Sequence, residues 1–284
     1  IHNFFWSFLP WAFIAVIALA ALLYRLFANK FRQGAITETF SLGGFVLPFI
    51  ALSFSHYKLP HYVFVVYPLC AVMTAGFIIE RVVSSPKFFR TLGYVQLVVC
   101  ILLLGGAIYL GSYIFPSGDI WLWTSILVLV GLCGYYFFKS GSLLGKLILP
   151  SAVAIIAVDL FLNAQVYPSL LKYQSGSELA AVAVREHVPK DGLYFYNYHS
   201  HAFEFYFQGI AGPISEEDIV RRTSAGEHFW IVGGADLLHI IRSHRINPEK
   251  IVATDDFAVT RLTVTFLNPE TRPQELTQKY LVGL

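Results

Sequence analysis

Long apolar stretches separated by short polar connections fill the first 170 residues of the chain. A helix needs about 20 mostly apolar residues to cross the hydrocarbon core of a membrane. Six stretches meet or approach that length, so we predict a multi-pass α-helical membrane protein with about six transmembrane helices. The stretches are residues 4–27, 36–54, 62–79, 92–115, 120–138 and 147–167.

The residues that follow show shorter patterns, typical of a small soluble domain. Helices that alternate with strands favour an α/β layer structure. We therefore predict two domains, a transmembrane helical region at residues 1–170 and an extracytoplasmic α/β domain at residues 171–284. Its predicted helices are residues 177–186, capped by Ser177, 202–207, 216–222 and 235–244, and its predicted strands are residues 193–198, 228–232, 251–253 and 259–266.

The basic residues of the connections are distributed unevenly, and Lys and Arg concentrate on the cytoplasmic side of membrane proteins. One alternate set of connections holds eight basic residues before residue 171, whereas the opposite set holds only Lys58. This asymmetry predicts that residues 55–61 and the 171–284 domain lie on the outer face, the periplasmic side of a bacterial inner membrane. The eight residues are Arg25, Lys30, Arg32, Arg81, Lys87, Arg90, Lys139 and Lys146.

The composition supports a membrane protein and excludes one class of partner. Hydrophobic residues make up 56% of the chain and charged residues 13%, against about 25% charged in an average soluble domain, so membrane lipids must cover part of the surface. A net charge of +2 without a basic face excludes nucleic acid as a partner. Cys70, Cys100 and Cys133 all lie in apolar stretches, where we expect packing residues rather than disulfides or metal ligands.

The connection between the second and third stretches combines a lysine with a predicted helix start. Residues 55–62 have the sequence SHYKLPHY, and Pro60 suits the first position of a helix. A cation just before that positive helix end is disfavoured by about 0.3–1 kcal/mol, whereas a lysine and free helix N–H groups together form an anion site. Two interpretations of Lys58 therefore remain: it binds a phosphate, or it extends to the membrane interface.

Two segments resemble one enzyme family. YKLPHY at residues 57–62, followed by Pro68 and an Ala-containing helix, resembles the Lys-Leu-Pro-x-Tyr segment of bacterial aminoarabinose lipid A transferases and related protein mannosyltransferases, and FLPW at residues 8–11 is similar to the helix that precedes it. Those enzymes have a GT-C membrane region, use a polyprenyl-phosphate sugar donor and end in a small periplasmic α/β domain. The same order of parts is predicted here.

The resemblance implies a glycosyltransferase that moves a sugar from a polyprenyl-phosphate donor to a lipid or protein acceptor at the periplasmic face. It implies that Lys58, together with Tyr62, binds the donor phosphate, with Tyr57 and His61 as further candidates. The family's catalytic acid lies upstream of the matched region, and Asp119 is the only acid in the outer connections within residues 1–170. We therefore expect a fragment without its catalytic residue, with any divalent metal bound upstream and no cofactor identified.

A second hypothesis comes from a different class of function. The chain would be a non-enzymatic membrane protein whose outer domain binds a glycan or a protein partner. An acidic residue in an upstream outer loop favours the enzyme, and its absence favours the binding protein.

Asp159 is an ionisable residue within the last apolar stretch, roughly 12 Å inside its outer end at 1.5 Å per residue, and Asn163 follows one turn later. An ionisable residue at that depth is a candidate functional residue. The alternative is a hydrogen-bonded residue that packs between helices.

Histidines of the 171–284 domain form two pairs, His199 with His201 and His239 with His244. Neither pair has a third ligand nearby in the sequence, so we predict surface histidines and no metal site. Two other short patterns predict plain turns without a ligand, Gly233-Gly234 and Asp255-Asp256.

Overall fold

A computed structural model describes residues 2–30, 38–55 and 60–284 of the protein. The chain is mostly helical, with a small mixed sheet near the C-terminus. It forms two compact units: unit 1 comprises Ile1–Ile108 and Gly118–Phe161, and unit 2 comprises Tyr109–Ser117 and Leu162–Leu284. The predicted division at residue 170 stays a prediction.

Unit 1 is built from apolar helices. Pro10 has no N–H to continue a helix, and the first apolar stretch accordingly forms two helices on either side of a turn at residues 8–11. The helices are α1 (His2–Ser7), α2 (Ala12–Ala28), α3 (Thr39–Phe54), a 3-10 helix (Pro60–Val66) that leads into α4 (Tyr67–Ser84), α5 (Pro86–Tyr109), α6 (Ile120–Lys139) and α7 (Leu143–Phe161).

Four helical spans among the described residues are long and apolar enough to cross a membrane: His61–Ser84, Pro86–Ile114, Ile120–Lys139 and Leu143–Leu171. They coincide with the last four predicted stretches, which confirms those four predictions and indicates membrane association. The first stretch includes most of α1 and of the 17-residue α2, and the second contains the 16-residue α3. Whether these shorter helices also cross the membrane stays a prediction.

Two apolar cores hold the described part of unit 1 together. The first includes Phe4, Phe45 and Met73, and the second includes Ile14 and Phe89. The three cysteines are buried and form no disulfide, as expected for packing residues.

A buried polar side chain, Gln96, also links the helices of unit 1. Its amide Nε2 donates to the Pro10 carbonyl at 3.0 Å and to the Ser151 hydroxyl at 3.1 Å. Ser151 in turn donates to the Leu147 carbonyl at 2.7 Å. These hydrogen bonds offset part of the cost of placing the amide among apolar helices, while its Oε1 has no partner among the described residues.

Unit 2 is organised around a five-stranded mixed sheet in the order β2-β1-β3-β5-β4. Strand β1 runs parallel to β2 and β3, while β5 runs antiparallel to both β3 and β4. The strands are β1 (Leu193–Tyr196), β2 (Gly212–Pro213), β3 (Trp230–Gly233), β4 (Lys250–Asp256) and β5 (Thr277–Gly283).

Helices cover both faces of this sheet. Leu179 and Phe203 pack with Phe195 and Leu281 on one face. Residues of two later helices pack with Ile231 and Val282 on the other face. The helical elements are two π-helical segments (Leu110–Ile114 and Leu162–Val166), two 3-10 turns (Lys190–Gly192 and Arg272–Gln274), α8 (Tyr167–Leu171), α9 (Ser175–Arg185), α10 (His201–Phe207), α11 (Glu216–Ser224), α12 (Ala235–Ser243) and α13 (Val264–Leu267).

Three predictions for this region are wrong. Residues 259–266 do not form a strand: Thr263 caps α13 by accepting from the Phe266 N–H at 3.1 Å, and the closing strand is β5 instead. The acidic pair at 255–256 ends β4 rather than forming a turn. Helix α9 starts at Ser175, two residues before the predicted cap, and Asp256 accepts from the Ser175 hydroxyl at 2.6 Å.

Candidate functional site

The helix start predicted at Pro60 is present. A 3-10 helix begins there and continues into α4. His61 and Tyr62 lie in its first turn, both exposed, with ring centroids 5.0 Å apart in an edge-on arrangement. Tyr57 and Lys58 lie outside the described residues. The structure therefore describes two of the four candidate residues at this helix start, and they are neighbours.

Tyr67, the first residue of α4, is a feature that the sequence analysis missed. Its ring packs against Phe8 and Phe64 at centroid distances of 5.4 Å. Its hydroxyl is buried and has no hydrogen-bond partner within residues 2–30, 38–55 and 60–284, although a buried donor without a partner costs about 1–3 kcal/mol. In so aromatic a sequence no signal singles this tyrosine out. The contact brings residue 8 of the FLPW segment against the start of α4.

Two apolar grooves flank this FLPW turn within unit 1. One, of about 330 Å³, is lined by Phe8, Trp11 and Ile148 among others. The other, of about 360 Å³, includes Leu9 and Phe13 in its lining. Grooves of this size and character suit apolar chains rather than polar ligands.

Asp119 and Asp159 occupy different environments. Asp119 caps α6, because its carboxylate accepts from the backbone N–H groups of Trp121 at 2.9 Å and Leu122 at 3.3 Å. A carboxylate used in this way stabilises the helix N-terminus. Asp159 is exposed on α7, two residues before its end at Phe161, and its functional role stays a prediction.

His199 and His201 of unit 2 are exposed, as predicted for surface histidines, but the expectation that they lack a third ligand nearby is wrong. His199 and His201 do have a third potential ligand, Glu204, whose Oε2 lies 3.6 Å from Nε2 of His199 and 3.6 Å from Nδ1 of His201. Glu204 lies one turn after His201 on α10. The spacing His-x-His-x-x-Glu, combined with the helix predicted at residues 202–207, contained the signal needed to find it.

The second histidine pair does not gain such a ligand set. His244 Nε2 lies 2.9 Å from Oε1 of Glu216, while His239 is exposed on α12. In the described ranges, His199, His201 and Glu204 are the one group of three potential metal ligands that converge.

The turn predicted at Gly233-Gly234 is shorter than expected: Gly233 is the last residue of β3, and Gly234 alone separates it from α12. A side chain at position 233 would collide with Leu237 and with the Tyr196 carbonyl, so glycine is required by close packing rather than by a nucleotide. Beside this turn, burial together with the Glu216 and Asp236 carboxylates raises the pKa of Tyr196.

Two candidate sites therefore stand out, each assembled within one unit. The first is the helix start at Pro60 with its aromatic neighbours, and the second is the cluster of His199, His201 and Glu204. Compared with known proteins, no protein-family model, no curated protein and no solved structure matches the chain.

Proposed function

We propose that the chain is the C-terminal part of an integral-membrane glycosyltransferase. The complete enzyme transfers a sugar from a polyprenyl-phosphate donor to a lipid or protein acceptor at the periplasmic face of the inner membrane. The observation that carries the proposal is the YKLPHY segment, whose last three residues form the first turn of a helix that starts at Pro60. The membrane-length helices and the C-terminal mixed sheet fit the same organisation.

Lys58 binds the donor phosphate in this proposal. It precedes Pro60 by two residues, next to a helix end whose first N–H groups have no partner within the helix. The helix dipole and the ammonium group then act on the same anion. Negative charge grows on the phosphate as the sugar leaves, so this interaction is strongest in the transition state. Tyr62 contributes a neutral hydrogen bond, which is weaker than one from a charged donor.

The apolar part of the donor also needs a binding surface. The grooves on either side of the FLPW turn, of about 330 and 360 Å³, offer apolar walls to a polyprenyl chain. Phe8 lines one of them and also contacts the first residue of α4. A donor bound there would have its lipid chain and its phosphate recognised by neighbouring parts of unit 1.

The proposal assigns the remaining parts of the mechanism to sequence outside residues 1–284, as the family resemblance implies. The acid that activates the acceptor and any divalent metal site belong there, and Asp119 serves as a helix cap. All six apolar stretches cross the membrane in this proposal. The eight-to-one distribution of basic residues supports a periplasmic location for residues 171–284.

The test is sugar transfer from a polyprenyl-phosphate donor by the longer protein that includes the upstream sequence, measured at matched protein levels in membranes. Lys58→Ala is expected to lower transfer on the order of 100-fold, as removal of one transition-state donor does elsewhere. Lys58→Arg is expected to retain part of the activity, because the charge survives while the compact ammonium geometry does not. Tyr62→Phe is expected to lose less than Lys58→Ala.

Lys87→Ala is the matched control, because Lys87 is an exposed lysine in the opposite set of connections. It should transfer sugar at the wild-type rate. Wild-type turnover by Lys58→Ala would show that the lysine only extends to the membrane interface, and the proposed phosphate site would then be abandoned.

A further inference from the structure

His199, His201 and Glu204 of unit 2 lie close enough together to share one ion. One potential ligand atom from each of the three side chains lies within 4.8 Å of the others. Both histidine nitrogens approach the same carboxylate oxygen, Oε2 of Glu204, at 3.6 Å. The imidazole rings stand nearly perpendicular, with centroids 4.5 Å apart. The three donors therefore converge on a common point.

The local fold explains why these side chains meet. Strand β1 ends at Tyr196, and α10 begins at His201 after a short loop. Ser200 caps α10, since its hydroxyl accepts from the Phe203 N–H at 3.2 Å. The first turn of α10 then places Glu204 on the same side as His201, because residues three apart are neighbours on a helix surface.

Contacts with the rest of unit 2 hold the loop in place. The ring of Phe195 packs edge-on against His199 at 5.6 Å. The neighbouring Tyr198 hydroxyl lies 3.3 Å from the Ser175 hydroxyl, which itself donates to Asp256. Because these contacts already hold the loop that carries His199, little conformational entropy is lost when its side chain binds an ion.

The charge of Glu204 is incompletely balanced by protein groups. Its side chain is only 19% exposed, so its carboxylate is partly removed from water. Among the described residues, the ion-pair partners of Glu204 within 4.0 Å are the two histidines and no lysine or arginine. A cation held between the two imidazole nitrogens and this carboxylate would lie at the point where the three side chains converge.

The spacing of the donors fits a transition metal. Ligand bonds of about 2.0–2.2 Å to Zn²⁺ in a tetrahedral arrangement separate neighbouring ligand atoms by about 3.4 Å. The two histidine-to-carboxylate distances of 3.6 Å are close to that value, and the ligand atoms of the two histidines lie within 4.8 Å of each other. Imidazole is a ligand for Zn²⁺, Cu²⁺ and Ni²⁺, whereas Mg²⁺ and Ca²⁺ prefer oxygen ligands.

We propose that His199, His201 and Glu204 form a binding site for one divalent transition-metal ion of the Zn²⁺ type. Three protein ligands leave a fourth coordination position open. The site faces solvent on the histidine side, where His201 is 90% exposed, so water or a donor group of a second molecule can occupy the open position. The site belongs wholly to unit 2 and does not depend on the sugar-transfer proposal.

The test is Co²⁺ and Zn²⁺ binding to the purified full chain in detergent, with a purification tag that contains no histidine. The expected result is one tight site per chain, with the visible absorption bands of tetrahedral Co²⁺, which Zn²⁺ then removes by displacement. His199→Ala, His201→Ala and Glu204→Gln are each expected to weaken binding at least about 10-fold, since loss even of an indirect partner of a metal ligand costs 10–100-fold.

His244→Ala is the matched control. His244 also pairs with a carboxylate, that of Glu216 at 2.9 Å, but within the described part of the chain no third potential ligand joins that pair. Its substitution should leave both the affinity and the spectrum unchanged. The histidines of the proposed site are exposed, so their substitution leaves the fold intact, which far-ultraviolet circular dichroism verifies. Wild-type Co²⁺ affinity in a protein that carries all three substitutions, or equal loss in His244→Ala, would overturn the proposal.

Discussion

Unit 1 leaves more of its apolar surface uncovered by the protein itself than unit 2 does. In the four membrane-length spans, only 22–39% of the most apolar window is buried within the protein, and side chains such as Leu127 and Phe138 point outward, 72% and 74% exposed. Unit 2 buries apolar residues on both faces of its sheet and has ion pairs on its surface. An exposed apolar side chain is unfavourable in water but not in lipid, so the energetic meaning of exposure in each unit depends on which solvent surrounds it.

The largest expected effect comes from placing a charge on an exposed apolar position in unit 1. Leu127→Asp in α6 is expected to disfavour membrane insertion by about 3–4 kcal/mol, the difference between leucine and aspartate near the centre of a spanning helix. The same change at Phe205 in unit 2, which is 74% exposed, is expected to alter stability by no more than about 0.5 kcal/mol.

Insertion of α6 is measured with glycosylation tags on either side of the helix, and the stability of the Phe205→Asp protein by its thermal unfolding midpoint in detergent. Normal insertion of Leu127→Asp would mean that this face of α6 is covered by protein or water and not by lipid. The contrast between the two units would then fail at this helix.

A smaller effect is expected inside unit 2, at Arg272. Its guanidinium donates to the carbonyls of Ile114 at 2.8 Å and Phe266 at 2.9 Å and to the Tyr173 hydroxyl at 3.2 Å, and it stacks over the Phe115 ring. Arg272→Ala is expected to cost about 2–3 kcal/mol, since hydrogen bonds from charged groups contribute about 1.5–3 kcal/mol each and some are replaced by water.

Hydrogen exchange of the α13 amides in the full chain measures this effect, and a loss of 2–3 kcal/mol corresponds to protection lower on the order of 100-fold. Arg261→Ala, at an exposed arginine of the same unit, should change nothing. The protection in Arg272→Lys should lie between those of Arg272→Ala and wild type, because lysine keeps the charge but lacks the planar guanidinium group and its several donors. Equal protection in Arg272→Ala and wild type would show that the arginine is not required to hold these segments.

The smallest effect concerns the surface of unit 2. Lys250 Nζ donates to Oε2 of Glu186 at 2.5 Å, and this hydrogen bond lowers the pKa of Glu186. A carboxyl whose pKa is lowered by folding contributes stability that is present above its unfolded pKa of about 4.3 and is lost as the pH falls through the folded value. The stability difference between wild type and Glu186→Gln should therefore be present at pH 7 and shrink below about pH 4.

This difference is measured as the thermal unfolding midpoints of wild type and Glu186→Gln, at pH 7 and at a pH below about 4. Lys250→Gln should abolish the same pH dependence, because the ion pair needs both partners. A difference that persists unchanged in acid would mean that Glu186 contributes through packing and not through its charge.

Helices and membrane spans were the most predictable part of the fold. Apolar runs such as residues 120–138 predicted helices because length and hydrophobicity are local properties. The strand predicted at residues 259–266 failed for a tertiary reason: the rings of Phe257 and Phe266 stack 3.8 Å apart, and the chain turns between them. The closing strand is β5 instead. It begins with the polar sequence Thr277-Gln278-Lys279 and only its last three residues are buried, so its sequence lacks the continuous apolar pattern that predicts a strand.

Sequence also predicted some features near the candidate sites and missed others. Pro60 predicted a helix start correctly, because its fixed φ and missing N–H act locally. The buried hydroxyl of Tyr67 could not be predicted, since it depends on Phe8, which is far away in the sequence. The role of Asp256 was also hidden, because its partner Ser175 lies 81 positions earlier in the chain.

The sequence by itself determined that most of residues 1–170 form apolar helices and that an α/β layer follows, because both depend on local properties: the length of an apolar run in the first case and the spacing of apolar residues in the second. Only the tertiary structure decided which polar groups meet. Gln96 reaches the Pro10 carbonyl across 86 positions, and the loop that carries His199 is held against α9 through Tyr198 and Ser175. Such contacts require two segments to arrive at one point in space, and the pattern within either segment does not specify that arrival.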